Sequence, residues 1–229
     1  MKYFFPPVLN LPILKIFGKG LKKWYNNFMF FHHHHIKRQK ARETLLINPA
    51  LKALLFISGL FMFAFAMFSP IYAIFVERVG GGIETAANSW AIFGLVAGVL
   101  TFITGKFENE MKDTELAIAW SQFVIGLGYV LLYFTEGVGM LYLVMIILGI
   151  GDALYWPAFH STYSIHADGH KSTFQWGIYD GLAYFIPAIG SALGGWLVTQ
   201  YGFGLIFIVM AALSFACGIY ILFLPRKVL

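Results

Sequence analysis

A chain of 229 residues that is 59% hydrophobic and only 12% charged is not a soluble globular domain, which carries about 25% charge. Its mean hydropathy of +0.72, with 24 Phe and 24 Gly, fits helices packed in a bilayer, where Gly lets backbones approach and aromatic rings settle at the headgroups. The single cysteine, Cys217, excludes an intrachain disulfide framework and a cysteine-based metal site, and the net charge of +5 is distributed for a membrane surface, not for nucleic acid.

Residues 1–50 read as a separate region. Phe4-Phe-Pro-Pro-Val8 opens it, and from Leu11 to Phe31 apolar residues such as Ile13, Ile16, Leu21 and Trp24 alternate with Lys15, Lys19, Lys22 and Lys23. That spacing predicts an amphipathic helix lying in the membrane interface. A secretory signal peptide is the rival, but lysines interrupt its apolar run and no small-residue cleavage site follows. The tract His32–His35 offers imidazoles without an acid or cysteine inside it to complete a metal site. With Lys37-Arg-Gln-Lys-Ala-Arg42 behind it, it reads as a basic linker held near anionic lipid.

Six apolar segments follow, expected near 53–76, 87–105, 115–134, 139–162, 173–199 and 203–224. Each approaches the roughly 20 residues that a helix needs to cross the hydrocarbon. The predicted domains are therefore a cytoplasmic region 1–50, a six-span domain 51–225 and a tail 226–229. Charge tests the topology: with the N-terminus inside, fifteen of the sixteen Lys and Arg residues fall on the cytoplasmic side and only Arg78 lies outside. The positive-inside rule thus places both termini in the cytoplasm, at the inner membrane.

An internal echo divides the spans three and three. Phe68-Ser-Pro70 in the first span matches Tyr155-Trp-Pro157 in the fourth, and Gly94 with Gly98 in the second matches Gly190 with Gly194 in the fifth. Corresponding Gly and Pro interruptions mark the substrate path in inverted-repeat transporters.

Two acids sit inside apolar spans, where a carboxylate costs about 2.5–3.5 kcal/mol on insertion scales and so faces a bundle interior or a wet cavity. Asp152, Trp156 and His160 recur at i, i+4 and i+8 with Tyr155 adjacent, giving a helix face able to carry a proton or hold a cation; the bland alternative is a hydrogen bond to a neighbouring span. Asp180 makes a similar face with Tyr184 and Pro187. If the two acids face one another, they would share a proton. Gly149-Ile-Gly-Asp152 and Tyr179-Asp180 also match the short GxGD and YD motifs of intramembrane aspartyl proteases, but in reversed order. Ser121 and Gln122 either touch cargo or bond neighbouring helices. No GxxxxGK[ST] loop is present, so no nucleotide cofactor is expected.

Trp90-Ala-Ile-Phe-Gly-Leu-Val-Ala-Gly-Val-Leu-Thr-Phe-Ile-Thr-Gly105, Leu148-Gly-Ile-Gly-Asp-Ala-Leu-Tyr-Trp-Pro-Ala158 and Gly190-Ser-Ala-Leu-Gly-Gly-Trp196 resemble the second, fourth and fifth spans of the major facilitator superfamily. The resemblance covers about residues 48–224 and six of that family's usual twelve spans. It implies an all-α membrane protein, a 3+3 inverted repeat forming one half-bundle, with Gly105, Pro70, Pro157, Gly94, Gly98, Gly190 and Gly194 as structural or gating positions. It also implies secondary active transport of a small solute in the lipid bilayer, with a homodimer or a second six-span half supplying the other wall. A non-transporting scaffold or assembly subunit is the alternative, and the protease a remote one. Departures are clear: Asn109 and Glu110 stand where the family's charged turn has an acid and a base, Met145 where a basic residue is often found, and Gly190-Ser191 where antiporters carry Gly-Pro.

Overall fold

In the computed structural model, residues 47–108, 114–169 and 171–224 are described, the side chains of 106–108 excepted. The expected interfacial helix, the His32–His35 tract, the altered turn at 109–113 and the tail 226–229 lie outside them. From Ile47 onward the chain is one compact unit, and every regular element among the described residues is helical. Among the described residues six helices are long and apolar enough to cross a bilayer: Pro49–Arg78, Ile83–Gly105, Thr114–Tyr133, Val138–His166, Ser172–Tyr201 and Phe203–Phe223.

Local chemistry sets the breaks. Asn48 caps the first span, its side-chain oxygen accepting from the Leu51 amide at 2.7 Å, with Pro49 at the position where a missing N–H costs nothing. Pro70 then interrupts this span: helix Pro49–Phe68 passes through a 3-10 turn, Ser69–Ile71, before helix Tyr72–Arg78 resumes. Pro157 and Pro187 instead sit inside continuous helices.

A proline cannot donate to the carbonyl four residues behind it, so that oxygen needs another partner in lipid. Behind Pro70 the freed oxygen is that of Ala66, and Ser191 of the fifth span donates to it at 3.2 Å. Behind Pro157 it is that of Ala153, and Thr104 of the second span donates to it at 3.2 Å. These positions correspond in one register, since 157 less 70, 153 less 66 and 191 less 104 are each 87. The proline echo is therefore a repeated joint between two spans, with its own compensating hydroxyl.

The principal packing follows the same exchange. The first span packs on the fifth and sixth, the fourth on the second and third, and the third on the sixth. Swapping first with fourth, second with fifth and third with sixth maps that set onto itself. Because three crossings return the chain to the opposite side, the two triplets are inverted.

The glycine half of the echo is corrected by the structure. A Cβ on Gly194 would lie 2.0 Å from the Met67 carbonyl oxygen, and one on Gly190 2.8 Å from that of Phe63, so these two glycines let the first and fifth spans cross backbone to backbone. At Gly94, Gly98 and Gly105 a Cβ would meet nothing within 4 Å among the described residues. In the 87-residue register Gly94 corresponds to Gly181, not to Gly190. The close approach between the second and fourth spans is made by Gly149, whose added Cβ would come within 2.9 Å of the Phe93 oxygen.

One end of the bundle is tied by polar contacts. Asn48 donates from Nδ2 to the His166 oxygen at 2.9 Å, joining the start of the first span to the end of the fourth. The Tyr163 hydroxyl donates to the Gln175 oxygen at 2.7 Å, and Gln175 Oε1 accepts from the Asp168 amide at 2.9 Å. Thr114 and Thr162 join the third and fourth spans at 2.9 Å. At the other end Tyr72 bonds Ser89, and the Arg78 guanidinium lies 5.8 Å over the Phe203 ring.

Candidate functional site

Asp152 has 14 residues of helix on either side within Val138–His166. At 1.5 Å per residue that is ~21 Å from each end, halfway along the span. Gly149 and Gly151 bring this stretch close to its neighbours: their missing side chains make room for the Phe93 oxygen of the second span and for Ile125 of the third. The carboxylate is half-buried. Its Oδ1 accepts from Trp156 Nε1 at 3.0 Å.

The face expected from the i, i+4, i+8 spacing forms. The Trp156 ring lies 5.3 Å from that of His160, which in turn lies 6.0 Å from Trp176 and 6.5 Å from Tyr179 of the fifth span. Asp152, Trp156 and His160 thus lead into an aromatic seam between the fourth and fifth spans. Tyr155 does not share that face. It is fully buried, stacked on Phe159 at 5.5 Å and packed on Phe61 at 4.4 Å, and its hydroxyl has no partner among the described residues.

Asp180 lies on an exposed face of the fifth span with Tyr184, which is 80% exposed. Eight residues separate it from the start of that helix at Ser172, a rise of ~12 Å. Measured from the same link, Asp152 is deeper by ~9 Å, and no hydrogen bond joins the two carboxylates among the described residues. They do not form the proton-sharing pair that either a coupled dyad or an aspartyl protease requires. No group of three or more His, Cys, Asp or Glu able to hold a metal ion occurs among the described residues.

Sequence reasoning missed the cavity beside Asp152. It holds about 40 Å³ and is walled by Phe61, Phe65, Phe68 and Tyr72 of the first span, Trp90 and Phe93 of the second, and Ile125 and Tyr129 of the third. Ser69 at the break of the first span, Met145, Leu148 and Asp152 of the fourth and Met210 of the sixth complete it. The signal was present: Phe61, Phe65, Phe68 and Tyr72 recur at i, i+4, i+7 and i+11, one stripe of a helix. Phe65 and Trp90, 38% and 37% exposed, stand at the open side, with ring centroids 6.1 Å apart, while Tyr129 and Met210 close the floor.

Gln122, expected to touch cargo or to bond a neighbouring helix, is fully buried, and among the described residues neither of its amide atoms has a partner. The contact of Gly151 with Ile125 sets the register that puts it level with Tyr155, whose hydroxyl is likewise unpartnered among the described residues.

The family model for the Major Facilitator Superfamily matches residues 54–228. The chain belongs to that superfamily. Among curated relatives, an uncharacterized MFS-type transporter, YttB, of Bacillus subtilis is 26% identical over 157 residues, covering 66% of this chain and 39% of the relative. The multidrug resistance protein MdtG of Klebsiella pneumoniae is 23% identical over 171 residues, covering 72% and 40%. The crystal structure of the POT family transporter PepTSo superposes with a TM-score of 0.63 at 15% identity over 79% of this chain and 38% of that one, a likeness of fold. This Major Facilitator chain therefore spans about two fifths of the length of the relatives it matches, and it is a multi-pass membrane protein with six spans among the described residues.

Proposed function

We propose that this chain forms one six-span wall of a secondary transporter that moves a small solute by alternating access, with a second six-span unit, another copy or a different half, as the opposite wall. The observation that carries this reading is Asp152, halfway along its span beside an aromatic cavity, within a bundle whose two triplets repeat the same proline-relieved joint. Secondary transporters place their sites at this depth, at the interface of inverted repeats. The charge distribution supports an inner-membrane orientation with cytoplasmic termini. Asp180, on the exposed face of the fifth span, belongs to the surface that a second wall would cover, because a carboxylate facing lipid is costly.

The test is flux through proteoliposomes carrying the full chain and an internal pH dye, challenged in turn with hexoses, amino acids, monocarboxylates and organic amines. One class is expected to move protons or charge, with the response lost in Asp152→Asn. Silence toward every class at protein densities where cross-linking detects pairs would leave a scaffold as the better reading.

A further inference from the structure

We propose that the cavity beside Asp152 receives the methylated ammonium head of a hydrophobic organic cation. This names the cargo class and rests on reading the cavity as part of the transport path.

The walls select the chemistry. Asp152 is the one charged residue among those lining the cavity, so an anion would meet only repulsion, and a neutral apolar solute would give the carboxylate nothing to do. Around it stand aromatic faces: Phe65, Tyr72 and Trp90 meet edge to face, with Trp90 centred 6.1 Å from Phe65 and 5.7 Å from Tyr72. Rings so arranged attract a cation through their negative faces. A primary ammonium needs partners for three N–H donors, and beyond the Asp152 carboxylate the lining offers only the hydroxyls of Ser69, Tyr72 and Tyr129, of which that of Tyr72 is already bonded to Ser89. A methylated head has none to satisfy, and its charge is recognised through the rings and the nearby carboxylate. Size agrees: about 40 Å³ compares with about 10–15 Å³ needed for one water. The cavity thus fits a head group, while the rest of the solute would extend past Phe65 and Trp90 on the open side.

The experiment measures equilibrium binding of radiolabelled phenyltrimethylammonium to the full chain in lipid nanodiscs, with empty nanodiscs as blank and the neutral isostere tert-butylbenzene as competitor. Saturable binding is expected, weakened at least tenfold by Asp152→Asn and roughly 2- to 30-fold by Trp90→Ala, unchanged by Glu136→Gln, and resistant to tert-butylbenzene. Both Asp152→Asn and Trp90→Ala are first checked for wild-type elution and melting. Binding as tight in Asp152→Asn as in the wild type, equal displacement by the neutral isostere, or no saturable binding overturns the proposal. Failure here alongside Asp152-dependent flux of another solute class would refute the cation and spare the transporter. Asp152-dependent binding with no flux of this cation would keep the site and refute transport.

Discussion

Gly98→Ala and Gly194→Ala are the same substitution in the same small-xxx-small motif, yet the structure separates them by sign. At Gly194 the new methyl would lie 2.0 Å from the Met67 carbonyl oxygen, whereas an ordinary contact is at least ~3.2 Å, so the first and fifth spans must part by on the order of 1 Å. The separation would stretch the 3.2 Å bond from Ser191 to the Ala66 oxygen, leaving the carbonyl behind Pro70 without a partner. Overpacking of this kind costs about 1–3 kcal/mol, and the lost hydrogen bond adds about 1 kcal/mol, against a gain of up to about 1 kcal/mol in helix propensity. A net loss of about 1–3 kcal/mol is expected. At Gly98 nothing lies within 4 Å, and only the propensity gain operates, so Gly98→Ala is neutral or stabilising by up to about 1 kcal/mol. Unfolding in mixed dodecylmaltoside and SDS micelles, followed by tryptophan fluorescence on the isolated chain, measures both. Equal destabilisation by the two variants would refute the packing described for the first and fifth spans.

Gln122→Leu replaces a fully buried amide with no partner by an apolar group of similar size, and should stabilise the bundle by about 1–3 kcal/mol; a loss of stability in the same assay would reveal a partner for that amide. Thr104→Val should cost about 1 kcal/mol, and much less once Pro157→Ala has restored the backbone N–H that bonds the Ala153 oxygen. A double-mutant cycle with no coupling would dissociate the hydroxyl from the proline. Asn48→Ala removes both the cap at Leu51 and the bond to the His166 oxygen, so stability should fall by about 1–2 kcal/mol. Hydrogen exchange should rise first at the amides following Asn48, and uniform exchange along the first span would contradict this.

The spans, their number and the three-plus-three division were legible because hydropathy, proline and loop length are properties of single segments. Pro70 and Pro157 could be matched by eye, and the structure adds why the match exists: each frees a carbonyl that a hydroxyl 87 residues from its counterpart then satisfies. Gly94 and Gly98 were matched to the wrong partners because a spacing of four says that a helix has a smooth strip, not what the strip faces. The same limit explains Tyr155. Next to Trp156 in sequence, it is rotated by about 100° around the helix and falls in the core. Asp180 looked equivalent to Asp152 because both sit in apolar runs; depth and burial distinguish them only once the helix ends are fixed. The aromatic cavity draws on five spans, and no single segment announces it, although the stripe from Phe61 to Tyr72 supplies one wall.

The central claim is that Phe65 and Asp152 face a path reached from both sides of the membrane. It is tested most directly by placing a single thiol at the cavity mouth, Phe65→Cys in a Cys217→Ser background, and applying a membrane-impermeant maleimide to right-side-out and inside-out vesicles. Labelling from both faces is the predicted result. A thiol that reacts from neither face, while a lipid-soluble maleimide modifies it readily, would place Phe65 against hydrocarbon and contradict the account.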